Sequence, residues 1–143
     1  MPDPASYAAP STVEYCVAES TEDVTTVSLA ELPRTDLGAG SWATTVLSGT
    51  TAGTKATCLG YARFAPGAVS AALSHATEEL MFVVAGTGEL RTDTAAIPFA
   101  PGHALRIPAT TWHWIANTGT EDVVSVFSFP GAELPPTQRR EAL

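Results

Sequence analysis

Positive charge is the scarcest commodity in this sequence. There are 7 Lys plus Arg against 15 Asp plus Glu, giving a formal net charge of −8 at pH 7. Such a surface repels phosphate backbones and anionic headgroups, which argues against nucleic acid and membranes as partners. Cysteine is rarer still. Cys16 and Cys58 are far apart and neither belongs to a Cys-x-x-Cys pair, so neither a disulfide framework nor a cysteine-rich zinc site is expected. Cys58 sits in an apolar run and reads as a buried small hydrophobe. No apolar stretch approaches the ~20 residues of a membrane-spanning helix. The opening Met1-Pro2-Asp3-Pro4 also lacks the basic and apolar regions of a secretory leader. The expectation is a soluble cytoplasmic protein.

Amphipathic helical periodicity is missing too. What is present is a globular composition, 45% hydrophobic and 15% charged, punctuated by 11 Gly and 11 Pro. The 143 residues are enough for one domain with one core. Residues 1–12, rich in Pro, Ala and Ser, read as a loose arm, residues 13–134 as the domain, and residues 135–143 as a tail. Within the domain, short runs of Val, Thr, Tyr and Phe predict strands over residues 14–18, 24–29, 42–47, 55–64, 71–74, 79–84, 88–91, 96–99, 104–107, 112–116 and 123–129. Pairs such as Pro66-Gly67 and Pro101-Gly102 supply the turns between them. Residues 137–143, after Pro135-Pro136, are expected to form one helical turn or to fray. The whole reads as all-β, a sandwich or a barrel.

His75, His103 and His113 are the only histidines. In extended chain, residues two apart share a face, so His75, Thr77, Glu79, Met81 and Val83 point the same way. His113 shares its side with Ile115 and Asn117. Two imidazoles and a carboxylate aimed into a small barrel can make a three-ligand metal site. Such a set with open positions suits Fe(II), while Mn, Ni, Zn and Co also accept nitrogen and oxygen ligands.

These residues lie in two spaced patterns that resemble the motifs of the cupin family. The first family motif is Gly, five residues, His-x-His, three or four residues, Glu, six residues, Gly. Here it runs Gly67, five residues, Leu73-Ser74-His75, three residues, Glu79, six residues, Gly86. The second is Gly, five residues, Pro-x-Gly, two residues, His, three residues, Asn. Here it runs Gly102, five residues, Pro108-Ala109-Thr110, two residues, His113, three residues, Asn117. Every spacing fits, with Thr110 in place of a Gly and Leu73 in place of a His. The resemblance implies a jelly-roll β-barrel, the double-stranded β-helix, with metal ligands at His75, Glu79 and His113. Leu73 leaves two readings: a facial site with an extra open position beside an apolar wall, or a site that has lost its metal.

The resemblance further implies a metal-dependent enzyme acting on a small organic molecule in the barrel, with a non-haem iron(II) oxygenase as the first reading. A redox-neutral lyase, isomerase or decarboxylase is the second, and a non-catalytic ligand-binding cupin the third. Leu73, Met81, Val83, Ile115 and Phe127 are candidates to line the pocket. Arg63, Tyr61 and Arg106 face either the pocket or solvent. Glu78 reads as a solvated carboxylate, His103 as an exposed turn residue, and Asn117 as a turn fastener. Trp112 and Trp114 are expected to face away from His113 and to pack in a core or interface, and Trp42 has no assigned task. Small cupins often pair through N-terminal strands, so a homodimer is expected, with residues 13–29 at the contact.

Overall fold

A computed structural model describes residues 23–142. The described residues form eleven strands: β1 (Thr35–Gly38), β2 (Ser41–Leu47), β3 (Thr57–Phe64), β4 (Ala72–His75), β5 (Glu79–Ala85), β6 (Gly88–Thr92), β7 (Ala96–Phe99), β8 (Ala104–Ile107), β9 (His113–Asn117), β10 (Val123–Pro130) and β11 (Thr137–Arg140). A single helical turn, α1 (Gly49–Ala52), links β2 to β3. Ser48 caps it with a reciprocal side-chain and backbone box, and Gly53 ends it in the left-handed conformation.

Two antiparallel sheets face one another. One has the order β1-β2-β3-β10-β5-β8 and the other β11-β4-β9-β6-β7. Alternation decides which side chains enter the space between them. On β3, Cys58, Ala62 and Phe64 are buried while Leu59 and Arg63 face solvent. On β5, Glu79, Met81 and Val83 are buried while Leu80, Phe82 and Val84 are exposed. Phe64, Val83, Leu90, Phe99, Ile107 and Val123 form much of the packed core. β7 carries Pro98, which is tolerated because β7 is an edge strand. Burial pushes the Cys58 thiol pKa up, in keeping with a small apolar role.

Three readings of the sequence need correction. Residues 24–29 form no strand: Val24 is fully exposed, and the run leads into a short 3-10 turn at Leu29–Glu31. Their β-branched composition finds no ladder partner among the described residues. Residues 35–38, where the sequence predicts no strand, form β1 against β2. The supposed helical turn after Pro136 is instead β11, with Thr137 paired to His75 and Arg139 to Leu73. The strand expected at 14–18, the arm at 1–12 and Cys16 lie outside the described residues.

Gly60 holds one position in the interior that no other residue could occupy unchanged. It stands directly across from Phe127, and a Cβ added there would lie 2.0 Å from that ring. Gly60→Ala is expected to drive Phe127 off its seat and cost about 1–3 kcal/mol of stability through overpacking. Calorimetry should register a Tm lower by several degrees, and an unchanged Tm would show that the ring has room elsewhere.

Candidate metal centre

His75 ends β4, Glu79 opens β5 and His113 opens β9. The turn after His75 brings the carboxylate back beneath the imidazole, while β4 and β9 pair Leu73 with His113 across the sheet. All three donors are buried, at 8%, 8% and 6% exposure, and their ligand atoms lie within 4.8 Å of one another. Glu79 Oε2 is 3.3 Å from His75 Nε2, and Oε1 is 3.9 Å from His113 Nε2. One carboxylate thus presents an oxygen to each imidazole, and the group could hold a metal ion.

The hydrogen bonds on the far side of each ring fit that use. His113 Nδ1 lies 2.8 Å from the Thr111 carbonyl, an acceptor only, so Nδ1 carries the proton and Nε2 is left bare. His75 Nδ1 lies 2.8 Å from Thr137 Oγ1, and that hydroxyl donates its own hydrogen to the Pro135 carbonyl at 2.9 Å. With that proton given to Pro135, Thr137 can accept from His75 Nδ1, an arrangement that turns His75 Nε2 toward Glu79. Burial holds the His113 pKa below the ordinary histidine range, against the opposing pull of Glu79. A neutral imidazole is the form that binds metal. The donor set therefore suits a divalent cation in ligand type and spacing.

Thr137→Val is expected to free His75 to rotate or change tautomer and to weaken metal binding about 10- to 100-fold. Titration of the stripped protein with Zn(II) or Mn(II) would measure this, and an unchanged affinity would mean that packing alone orients the ring. Phe129 does contact His75 edge-on, with ring centroids 4.7 Å apart.

Thr110, the residue in place of a motif Gly, has a φ of 63°, a conformation that favours glycine. Its N–H donates to the His75 carbonyl at 2.7 Å, tying the second motif's turn to the first motif's ligand strand. Asn117 Nδ2 donates to the carbonyls of Phe64 and Glu121, and its Oδ1 accepts from the Gly119 N–H. It is the turn fastener the sequence suggested.

A cavity of about 310 Å³ lies beside the three donors. Leu73, Met81, Ile115 and Phe127 all line it. Val83, also expected on its wall, sits instead in the packed core. Arg63 faces solvent and pairs with Asp122 at 2.5 Å, and Arg106 pairs with Glu78 on the exposed surface at 2.9 Å. Tyr61 packs against Trp42, which also carries the Arg34 guanidinium on its ring. His103 is exposed, its Nδ1 accepting from the Ala100 N–H. Trp114, next to His113 on β9, is buried and also borders the cavity, and Trp112 lies under Arg140.

Among the lining residues that the sequence did not single out are Thr137 and Arg139, both on the cavity wall. Each falls in the segment read as a tail. Among the described residues, the titratable groups lining the cavity are His75, Glu79, His113 and Arg139.

Two facing antiparallel sheets with a buried His-Glu-His group on the inner wall define a double-stranded β-helix protein with a candidate metal centre. The Cupin domain family model matches residues 60–129, which contain all three donors. The chain belongs to the cupin superfamily. No curated protein is significantly similar in sequence. Among solved structures, a polyketide cyclase from Streptomyces resistomycificus is 15% identical with a TM-score of 0.69, over 85% of this chain and 88% of that one. An uncharacterised double-stranded β-helix protein from Klebsiella pneumoniae is 16% identical with a TM-score of 0.66, over 84% of this chain and all of that one. The oxalate decarboxylase of Lactobacillus farciminis is 16% identical with a TM-score of 0.68, over 77% of this chain and 34% of that longer one. At these identities the likeness shows the fold. No helix among the described residues is long and apolar enough to cross a membrane.

Proposed function

We propose that the protein is a metal-dependent enzyme that transforms a small apolar organic molecule, with His75, Glu79 and His113 as the metal ligands. The observation that carries this reading is a buried three-donor group with both imidazoles anchored at Nδ1, set in the wall of a largely apolar cavity. When bound, Fe(II) would supply oxygen activation and a point of attachment for substrate oxygen atoms. Glu79 contributes the negative charge that offsets a dication in a buried setting. Leu73, Met81, Ile115 and Phe127 exclude water and grip an apolar body.

An oxygenase is the first reaction class. Beyond the three donors, the cavity's one other titratable residue among those described is an arginine, which stays protonated. A reaction built on proton shuttling would draw on an independent acid or base. The second reading is redox-neutral, a lyase, isomerase or decarboxylase. It is favoured by the solved relatives titled as a polyketide cyclase and an oxalate decarboxylase.

The deciding experiment loads the protein separately with Fe(II), Mn(II), Ni(II), Co(II) and Zn(II) and offers a panel of aryl acids, catechols and 1,3-dicarbonyl compounds. Substrate loss matched by oxygen uptake supports the oxygenase. Loss that persists without oxygen supports the redox-neutral class. Tight binding without turnover by any metal form supports a ligand-binding cupin. A homodimer joined through residues 13–29 belongs to the same proposal, and light scattering tests it: a monomeric mass would discard it.

A further inference from the structure

Arg139 differs from the other arginines. Arg63, Arg91, Arg106 and Arg140 are paired with Asp122, Glu89, Glu78 and Asp93, and Arg34 lies on the Trp42 ring. Arg139 has neither a carboxylate nor an aromatic partner among the described residues. Its contact is a single bond from Nη1 to the Asp36 carbonyl at 2.7 Å. Among the described arginines, Arg139 is therefore the one whose guanidinium is not already taken by a carboxylate or a ring.

Thr137 and Arg139 are two residues apart on β11 and so share the strand's inner face, about 7 Å from one another along the strand. Their cross-strand partners are His75 and Leu73, and both line the cavity. Thr137 touches the candidate metal centre through His75, and Arg139 stands one step farther along the same wall, toward β1. The Asp36 carbonyl steadies the guanidinium and leaves the rest of its fork available. The same cavity is lined by the apolar side chains of Leu37, Ala43, Phe64 and Phe127.

We propose that Arg139 binds the carboxylate of an apolar carboxylic acid whose body fills the cavity, an inference that rests on the cavity being the substrate site. A planar fork matches a carboxylate in two-point contact. A phosphate would call for further donors, and no second cation lines the cavity among the described residues.

The test is calorimetric titration with 4-phenylbutyrate and with its neutral counterpart 4-phenylbutan-1-ol, using metal-loaded and chelator-stripped protein. Wild type should prefer the acid by about 10-fold, the lower range for a charge-assisted contact, because Arg139 is exposed at the rim. Arg139→Gln should abolish that preference while leaving affinity for the alcohol and metal content unchanged. Arg139→Lys should retain part of it. Four results would overturn the inference: no preference in wild type, no binding of either compound, a preference surviving in Arg139→Gln, or equal loss of acid and alcohol binding in that variant. A preference that disappears with chelation also overturns it, by placing the carboxylate at the metal, and leaves the enzyme reading intact. Loss of that reading would show instead in metal content and turnover, independently of the acid-to-alcohol ratio.

Discussion

Replacing His113 with Ala is expected to lower metal affinity by more than about 100-fold, because it removes a whole ligand where loss of a supporting contact alone costs 10- to 100-fold. Glu79→Ala should do the same and also remove the local negative charge. Neither variant should unfold the barrel. The packed core is made of apolar residues such as Phe64, Val83 and Ile115, and the three donors lie at the wall of the cavity. Elemental analysis of protein purified without oxygen, together with circular dichroism, checks both halves of the expectation. Glu78→Ala is the matched control. Its carboxylate is exposed and paired with Arg106, so metal content should not change. If His113→Ala retains stoichiometric metal, the ligand assignment is wrong.

Leu73→His should act in the opposite direction. Leu73 lines the cavity and is the direct cross-strand partner of His113, so an imidazole at this position starts on the same sheet and beside the same donors. A fourth ligand is expected to tighten metal binding by about 10- to 100-fold, the scale of one to three kcal/mol. Turnover should fall, because the new ring occupies a coordination position that substrate would otherwise use. Metal competition assays measure the first effect and steady-state rates the second. Weaker metal binding in the variant would show that the backbone at residue 73 no longer aims at the centre.

The donors and the barrel were legible in the sequence for one reason. The ligands sit in strands whose alternation is written in apolar side chains, and glycines mark the turns that set their spacing. β5 reads Glu-Leu-Met-Phe-Val-Val-Ala, and its buried face follows directly. Strands without that alternation were missed. β1 is Thr-Asp-Leu-Gly and β11 is Thr-Gln-Arg-Arg, and both owe their conformation to backbone pairing with a neighbour. Residues 24–29 show the converse, β-branched chain with no strand partner among the described residues. Arg139 was hidden by the same effect: a polar residue in an apparent tail carries no sign of the wall it joins. Arg63 and Arg106 stood in recognisable strands, and only the inward parity of Cys58, Ala62 and Phe64 and of Glu79 and Met81 decided that they face outward.

β11 has a further consequence. Among the described residues it is a four-residue border strand paired with β4 alone, yet it positions a ligand ring through Thr137 and borders the cavity through Arg139. Border strands are among the first segments to open in native-state fluctuations. The centre's affinity is therefore linked to the local opening equilibrium of this strand, and occupancy of the centre must protect it in return. Amide exchange at residues 137–140 would then serve as a built-in reporter of the centre, slowing when cation is added and quickening when it is withdrawn.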